Sequence, residues 1–174
     1  MALPREYVTE DCPIARALEI IGERWTLLIV RDAFYGVSRF SDFRDHLLIP
    51  RAVLSERLNL LTEHGILARA TAASGRDEYA LTAKGEALWP ALWSLMQWGN
   101  DYYTVTERCR RYTHADCGGE MRPDGTCAAC GIMPPPRDLT VHPRAMIPGA
   151  KTDQVSQALM VPHRLLTPLT GVPV

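Results

Sequence analysis

At 174 residues with 47% apolar side chains, the chain is long enough for one packed domain plus an appendage, which excludes disorder throughout. A formal net charge of −1, from 19 Lys and Arg against 20 Asp and Glu, excludes a uniformly basic surface, so any polyanion-binding face must come from local segregation of charge. No apolar run approaches the roughly eighteen residues of a membrane span and no signal-peptide pattern opens the sequence, so the expected location is cytoplasmic.

Apolar spacing predicts a series of short helices. Ile14, Ala17, Leu18 and Ile21 recur at helical spacing, with Pro13 at a natural first position and Gly22 as a stop, giving a helix over 13–21. "ERWTLLIVRDAFYG" places Trp25, Leu28, Ile29 and Ala33 on one stripe and ends at Gly36. "RFSDFRDHL" turns Phe40, Phe43 and Leu47 inward and leaves Arg39, Arg44 and His46 toward solvent. In the next helix, 50–63, Leu54, Leu58 and Leu61 form the inner stripe. Ala52, Ser55, Glu56 and Asn59 oppose it, with Arg51 near the start and Arg57 on a flank. Small and hydrogen-bonding side chains edged by guanidinium groups suit the major groove of duplex DNA, although an ordinary solvated face has the same pattern.

After Gly65, "ILARATA" and "DEYAL" read as two strands joined by "ASGR", with Gly75 placed for a tight turn. Helix, turn, helix and hairpin make a winged helix whose tip carries Arg76, within reach of the minor groove or the phosphates. Between Arg39 and Arg76 there are six arginines and four acidic residues, an excess of only two positive charges. Thr82 is a plausible N-cap, and an apolar stripe then runs through Leu88, Leu92, Leu95, Met96, Gly99 and Tyr103. Trp89, Trp93 and Trp98 enlarge it beyond what a small winged helix covers, which predicts a homodimer; intramolecular packing of these rings on the first two helices is the alternative. Pro90 fits either the first turn of a restarted helix or a kink.

The C-terminal part has a different composition. Nine of the thirteen prolines lie in residues 123–174, and four of the five cysteines fall between positions 109 and 130. His114, Cys117, Cys127 and Cys130 have the two-knuckle spacing of a short tetrahedral zinc site, with Gly118 and Gly131 each following a ligand. Cys109 could replace His114, and a metal-free loop or a disulfide are the other readings. Four protein ligands would make the zinc structural. Beyond Pro134, "MPPPRDLTVHPR" reads as extended, and the last thirty residues as a loose tail or an arm draped over a partner subunit. The expected organisation is a DNA-binding and dimerisation domain over 1–108, a Cys-rich module over 109–137 and a tail over 138–174. The fold class is mainly α, of the α+β type.

Four stretches carry a family resemblance: "CPIARALEIIGERWTLLIVRDAFYGVSRFSDFRDHL", "LSERLNLLTEHGIL", "EYALTAKGEAL" and "LWPALWSLMQWG". Together they resemble, in order over about residues 11–100, the HxlR-type winged-helix transcriptional regulators. The resemblance implies a homodimer that binds an inverted-repeat operator as repressor or activator, without catalysis. It places the recognition helix at 50–63 and the wing at 73–77. Members often have serine where this chain has Pro50, so the first turn and the reach of Arg51 are expected to differ. The expected DNA-facing residues are thus Arg39, Arg44, Arg51, Ser55, Arg57, Asn59 and Arg76.

Cys12 precedes Pro13 at a helix N-terminus, where the helix dipole and Arg16 would favour its thiolate, and some relatives use a cysteine at the corresponding Cys-Pro position to detect oxidants or electrophiles. A structural thiol is the alternative, as is a small-ligand effector in place of an oxidant. Two other functions compete with the regulator: a protein-interaction module with a structural metal site, and, weakest, a thiol enzyme using Cys12.

Overall fold

The computed structural model describes residues 11–71, 75–103, 110–143 and 152–169. The expected wing residues 73 and 74, Cys109 and the chain ends lie outside them. α1 (Pro13–Ile21) has Pro13 in its first turn and Cys12 at the N-cap. None of its residues is fully buried: Ile14 is 70% exposed and Leu18 46%, so the first part of the expected inner face is uncovered in a single chain, while Ile21 at its end packs against the core. α2 (Thr26–Phe34) buries Ile29, Val30, Ala33 and Phe34, and α3 (Phe40–Leu47) buries Phe43, Leu47 and also His46, expected toward solvent but covered by Asp153 of the C-terminal part. α4 (Arg51–Glu63) rests on Leu54, Leu58 and Leu61, all fully buried as the helical period predicts.

β1 (Leu67–Thr71) and β2 (Asp77–Leu81) pair antiparallel from Leu67 opposite Leu81 to Thr71 opposite Asp77. The Tyr79 amide donates to the Ser38 carbonyl at 2.8 Å, which fastens this hairpin to the turn between α2 and α3. Thr82 caps the short helix α5 (Ala83–Glu86) by accepting from the Gly85 amide at 3.2 Å. α6 (Trp89–Tyr103) restarts with Pro90 at its second residue, where a missing amide proton costs nothing. Pro90 therefore marks a helix start and not a kink.

The C-terminal part is folded back onto this domain. β3 (Arg111–His114), β4 (Leu139–His142) and β5 (His163–Arg164) form an antiparallel sheet in that order, drawing on residues on both sides of the expected 137/138 boundary. α7 (Gln154–Ala158) lies between β4 and β5 in sequence and packs on α3. Beyond β5, the Leu166 amide donates to the Phe34 carbonyl and the Leu169 amide to the Gly36 carbonyl, at 2.8 and 3.1 Å. Gly36 has φ +87°, and a Cβ there would stand 1.9 Å from the Thr167 carbonyl oxygen, so only glycine lets this strap cross the α2–α3 turn.

One apolar cluster joins both parts. Leu139, Val141, Leu159 and Leu165 belong to the same core as Phe34 and the α4 leucines. Trp89 and Trp93, expected to widen an intersubunit face, are 7% and 6% exposed and belong to it too. Trp89 meets Phe34 at 5.0 Å between ring centroids, and both tryptophans pack on Tyr112 of β3. Trp89 thus packs partly on α2, as the alternative reading has it, and the remaining cover comes from a strand about twenty residues further along the chain, beyond the reach of any helical-stripe argument. Trp98, 51% exposed, stays outward with Leu95, Tyr102 and Tyr103.

Candidate nucleic-acid interface and metal centre

Five of the seven expected DNA-facing residues line one groove of about 840 Å³. Arg39 comes from the N-cap of α3, Arg51, Ser55 and Asn59 from α4, and Arg76 from the hairpin. The polar face of α4 stands free because its opposite face is committed to the core. Pro50 occupies the N-cap of α4 with no capping side chain, and the Arg51 guanidinium lies over the Phe40 ring at 5.5 Å. That stacking holds a long cation against the apolar end of α3 with its hydrogen-bonding edge exposed. Arg39 pairs with Glu78 at 3.3 Å. Arg69, which sequence reasoning did not single out, also lines the groove, paired with Asp77 across the hairpin. Its only signal was its place among the six arginines between positions 39 and 76.

Two expected residues lie elsewhere. Arg44 donates to Asp45 at 2.7 Å and does not line the groove. Arg57 is a clear correction: it is 7% exposed, bound to Glu56, and its Nε has no partner among the described residues. At 100° per residue Arg57 lies only about 40° from Leu61 around the helix, so the flank assigned to it turns inward.

Cys12 is half-buried at the N-cap of α1, without a side-chain capping bond of full geometry. The Ala15 amide and then the Ile14 amide face its sulfur and lower its thiol pKa. Arg16, expected to help, is engaged with Glu19 at 3.0 Å.

The cysteine-rich segment brings its four expected ligands together, with all ligand atoms within 4.8 Å of one another. Cys117 Sγ lies 3.4 Å from Cys127 Sγ, 3.8 Å from Cys130 Sγ and 3.3 Å from His114 Nδ1, and Cys130 Sγ lies 3.4 Å from that nitrogen. A tetrahedron with metal–sulfur bonds of about 2.3 Å has sulfur–sulfur edges of about 3.8 Å and sulfur–nitrogen edges of about 3.5 Å. The donor set therefore fits one tetrahedral ion.

Local backbone explains the arrangement. Gly118 and Gly131 adopt φ of +70° and +76°, turning each knuckle so that amides point at sulfur. The Cys130 amide, aided by that of Ala129 and opposed by burial, lowers the Cys127 thiol to about 6. At Cys117 the Gly119 amide acts the same way but is outweighed by Cys127, burial and Cys130, and that thiol is raised. Asp116 stands 3.7 Å from the outer ring nitrogen of His114, on the side away from the sulfurs. The loop between the knuckles is tied to α6, where Trp93 Nε1 donates to the Pro123 carbonyl at 2.9 Å.

The HxlR-like helix-turn-helix family model matches residues 20–107. The chain belongs to that family. An HTH-type transcriptional regulator of Mycobacterium tuberculosis, Rv3095, is 43% identical over 133 residues, 75% of this chain and 84% of the relative. That alignment spans more residues than precede position 108, so the likeness continues into the C-terminal part. The HTH-type transcriptional regulator YvaP of Bacillus subtilis is 37% identical over 98 residues, 54% of this chain and 91% of its own. Among solved structures, PA1607, described as a candidate transcription factor, superposes with a TM-score of 0.61 at 40% identity, covering 71% of this chain and 88% of its own. The oxidised redox regulator HypR superposes at 0.51 with 29% identity, over 54% of this chain and all of its own. The protein is thus a winged-helix transcriptional regulator that binds DNA, and not an enzyme. Among the described residues no helix is long and apolar enough to cross a membrane.

Proposed function

We propose that this regulator binds an inverted-repeat operator as a homodimer, inserting α4 into the major groove and the β1–β2 hairpin beside it. The carrying observation is the convergence of Arg39, Arg51, Ser55, Asn59 and Arg76 from three separate elements on one groove, while Leu54, Leu58 and Leu61 anchor α4 from behind. Arg51 and Asn59 read base edges, and Arg39 and Arg76 hold phosphate. The uncovered apolar side chains of α1 (Ile14 and Leu18) and α6 (Leu95, Trp98, Tyr102 and Tyr103) support a two-fold pair. Such a pair presents its two recognition helices about 34 Å apart, one turn of DNA.

His114, Cys117, Cys127 and Cys130 would hold a structural zinc, which ties the sheet β3–β4–β5 to the knuckles and supplies folding energy without an open coordination position. Cys12, with its lowered thiol pKa, is the candidate sensor of oxidants or electrophiles, a reading supported by the likeness to a redox regulator. Alkylation followed by mass spectrometry across pH tests it: reactivity at neutral pH no greater than that of an ordinary thiol ends the idea.

The central test is selection of bound duplexes from a random-sequence pool with the full-length protein. Enrichment of two inverted half-sites one turn apart, with affinity falling steeply as salt rises, is the expected result. No enrichment, or binding insensitive to salt, would favour a protein-interaction module instead.

A further inference from the structure

Gln154 is separated from Asn59 by most of the chain and lies outside the segment that defines the family, yet it lines the same groove as Arg51, Ser55 and Asn59. Resting on the groove reading above, we propose that Gln154 is an additional DNA contact: its side-chain amide meets the sugar-phosphate backbone beside the half-site, and the His46–Asp153 pair holds it there.

The placement is built, not incidental. Asp153 caps α7 by accepting from the Ser156 amide at 3.0 Å and from the Ser156 hydroxyl at 2.6 Å. The same carboxylate meets Nδ1 of His46, a buried residue of α3, at 3.0 Å. Following this polar pin along the chain, Val155, Leu159 and Leu165 are at most 3% exposed, and the strap to Phe34 and Gly36 closes the segment over the α2–α3 turn. α7 is therefore seated on the helix-turn-helix and moves with it, while Gln154 itself is exposed at the groove.

The geometry also selects the kind of contact. In a helix-turn-helix the helix before the recognition helix crosses the DNA backbone, so an element packed on that helix faces phosphate and sugar and not base edges. A glutamine amide donates to phosphate without adding charge, so it would strengthen binding to all sequences alike and leave the salt dependence nearly unchanged.

The test compares full-length wild type with Gln154→Ala, Gln154→Glu, Gln154→Lys and, as a control, Arg51→Ala. Binding is measured by fluorescence anisotropy on the duplex enriched by selection and on a scrambled duplex of equal length. Gln154→Ala is expected to weaken both by the same factor, roughly 2- to 10-fold as for the loss of one hydrogen bond. Gln154→Glu should lose more, through repulsion by phosphate. Gln154→Lys should restore or exceed wild-type affinity and steepen the salt slope by about one unit, which a purely structural role of this residue would not do. If all three Gln154 variants bind as wild type while Arg51→Ala loses affinity, the proposal fails and the groove reading stands. If Arg51→Ala also binds as wild type, the groove reading itself fails. Weakening confined to the enriched duplex would replace the backbone contact with a base contact and overturn the proposal as stated.

Discussion

Trp89 and Trp98 lie on one helix and should fail in different ways when truncated. Trp89 is 7% exposed and packed among Phe34, Trp93 and Tyr112, so Trp89→Ala removes nearly the whole buried ring from the core of each chain. A buried tryptophan takes about 200 Å² out of water, worth about 5 kcal/mol at ~25 cal/mol per Å², and core truncations of this kind cost about 3–5 kcal/mol. For a chain of this size, at about 2–4 °C per kcal/mol, that lowers the melting midpoint by roughly 6–20 °C at any protein concentration. Trp98 is 51% exposed, so its truncation costs about half as much within one chain. Its larger effect should fall on self-association, giving a midpoint that depends on protein concentration. Thermal melts over a range of concentrations, paired with sedimentation equilibrium, separate the two. Equal losses of midpoint from both variants under conditions that keep both dimeric, with unchanged dimer dissociation, would refute the division of α6 into a core face and an intersubunit face.

Three further outcomes are expected. Elemental analysis should find one zinc per chain, and Cys127→Ser or strong chelation should release it and abolish hydrogen-exchange protection in the sheet β3–β4–β5; full retention of protection without metal would count against a structural ion. Arg51→Ala should weaken DNA binding at unchanged stability, whereas Arg57→Ala should act mainly on stability, since its guanidinium is buried; the reverse pattern in paired binding and melting measurements would invert the assignment. At Asp153, burial raises the carboxyl pKa but is outweighed by the Ser156 hydroxyl and amide and then by His46, so the folded value lies below the ordinary one. The stabilisation is therefore complete above the ordinary carboxylate range and is lost as pH falls through the folded value. Asp153→Ala should cost about 1–3 kcal/mol at neutral pH, read as faster proteolysis of residues 152–169, and that difference from wild type should shrink toward acid pH.

What the sequence by itself determined is local. The 3.6-residue period of Leu54, Leu58 and Leu61 oriented α4, because side-chain direction along a helix follows from backbone geometry alone. The two Cys-x-x-Cys-like knuckles with their glycines announced a four-ligand cluster, because short loops confine ligand atoms whatever surrounds them. Tertiary structure decided the rest. It put Trp89 and Trp93 against Tyr112. It also joined residues 111–114, 139–142 and 163–164 into one sheet and carried Gln154 to the groove lined by Arg51 and Asn59, beside a contact between His46 and Asp153. Each of these depends on residues far apart in the chain, where the choice between solvent, partner and core is made by what the remaining chain leaves uncovered, and no local period records that choice.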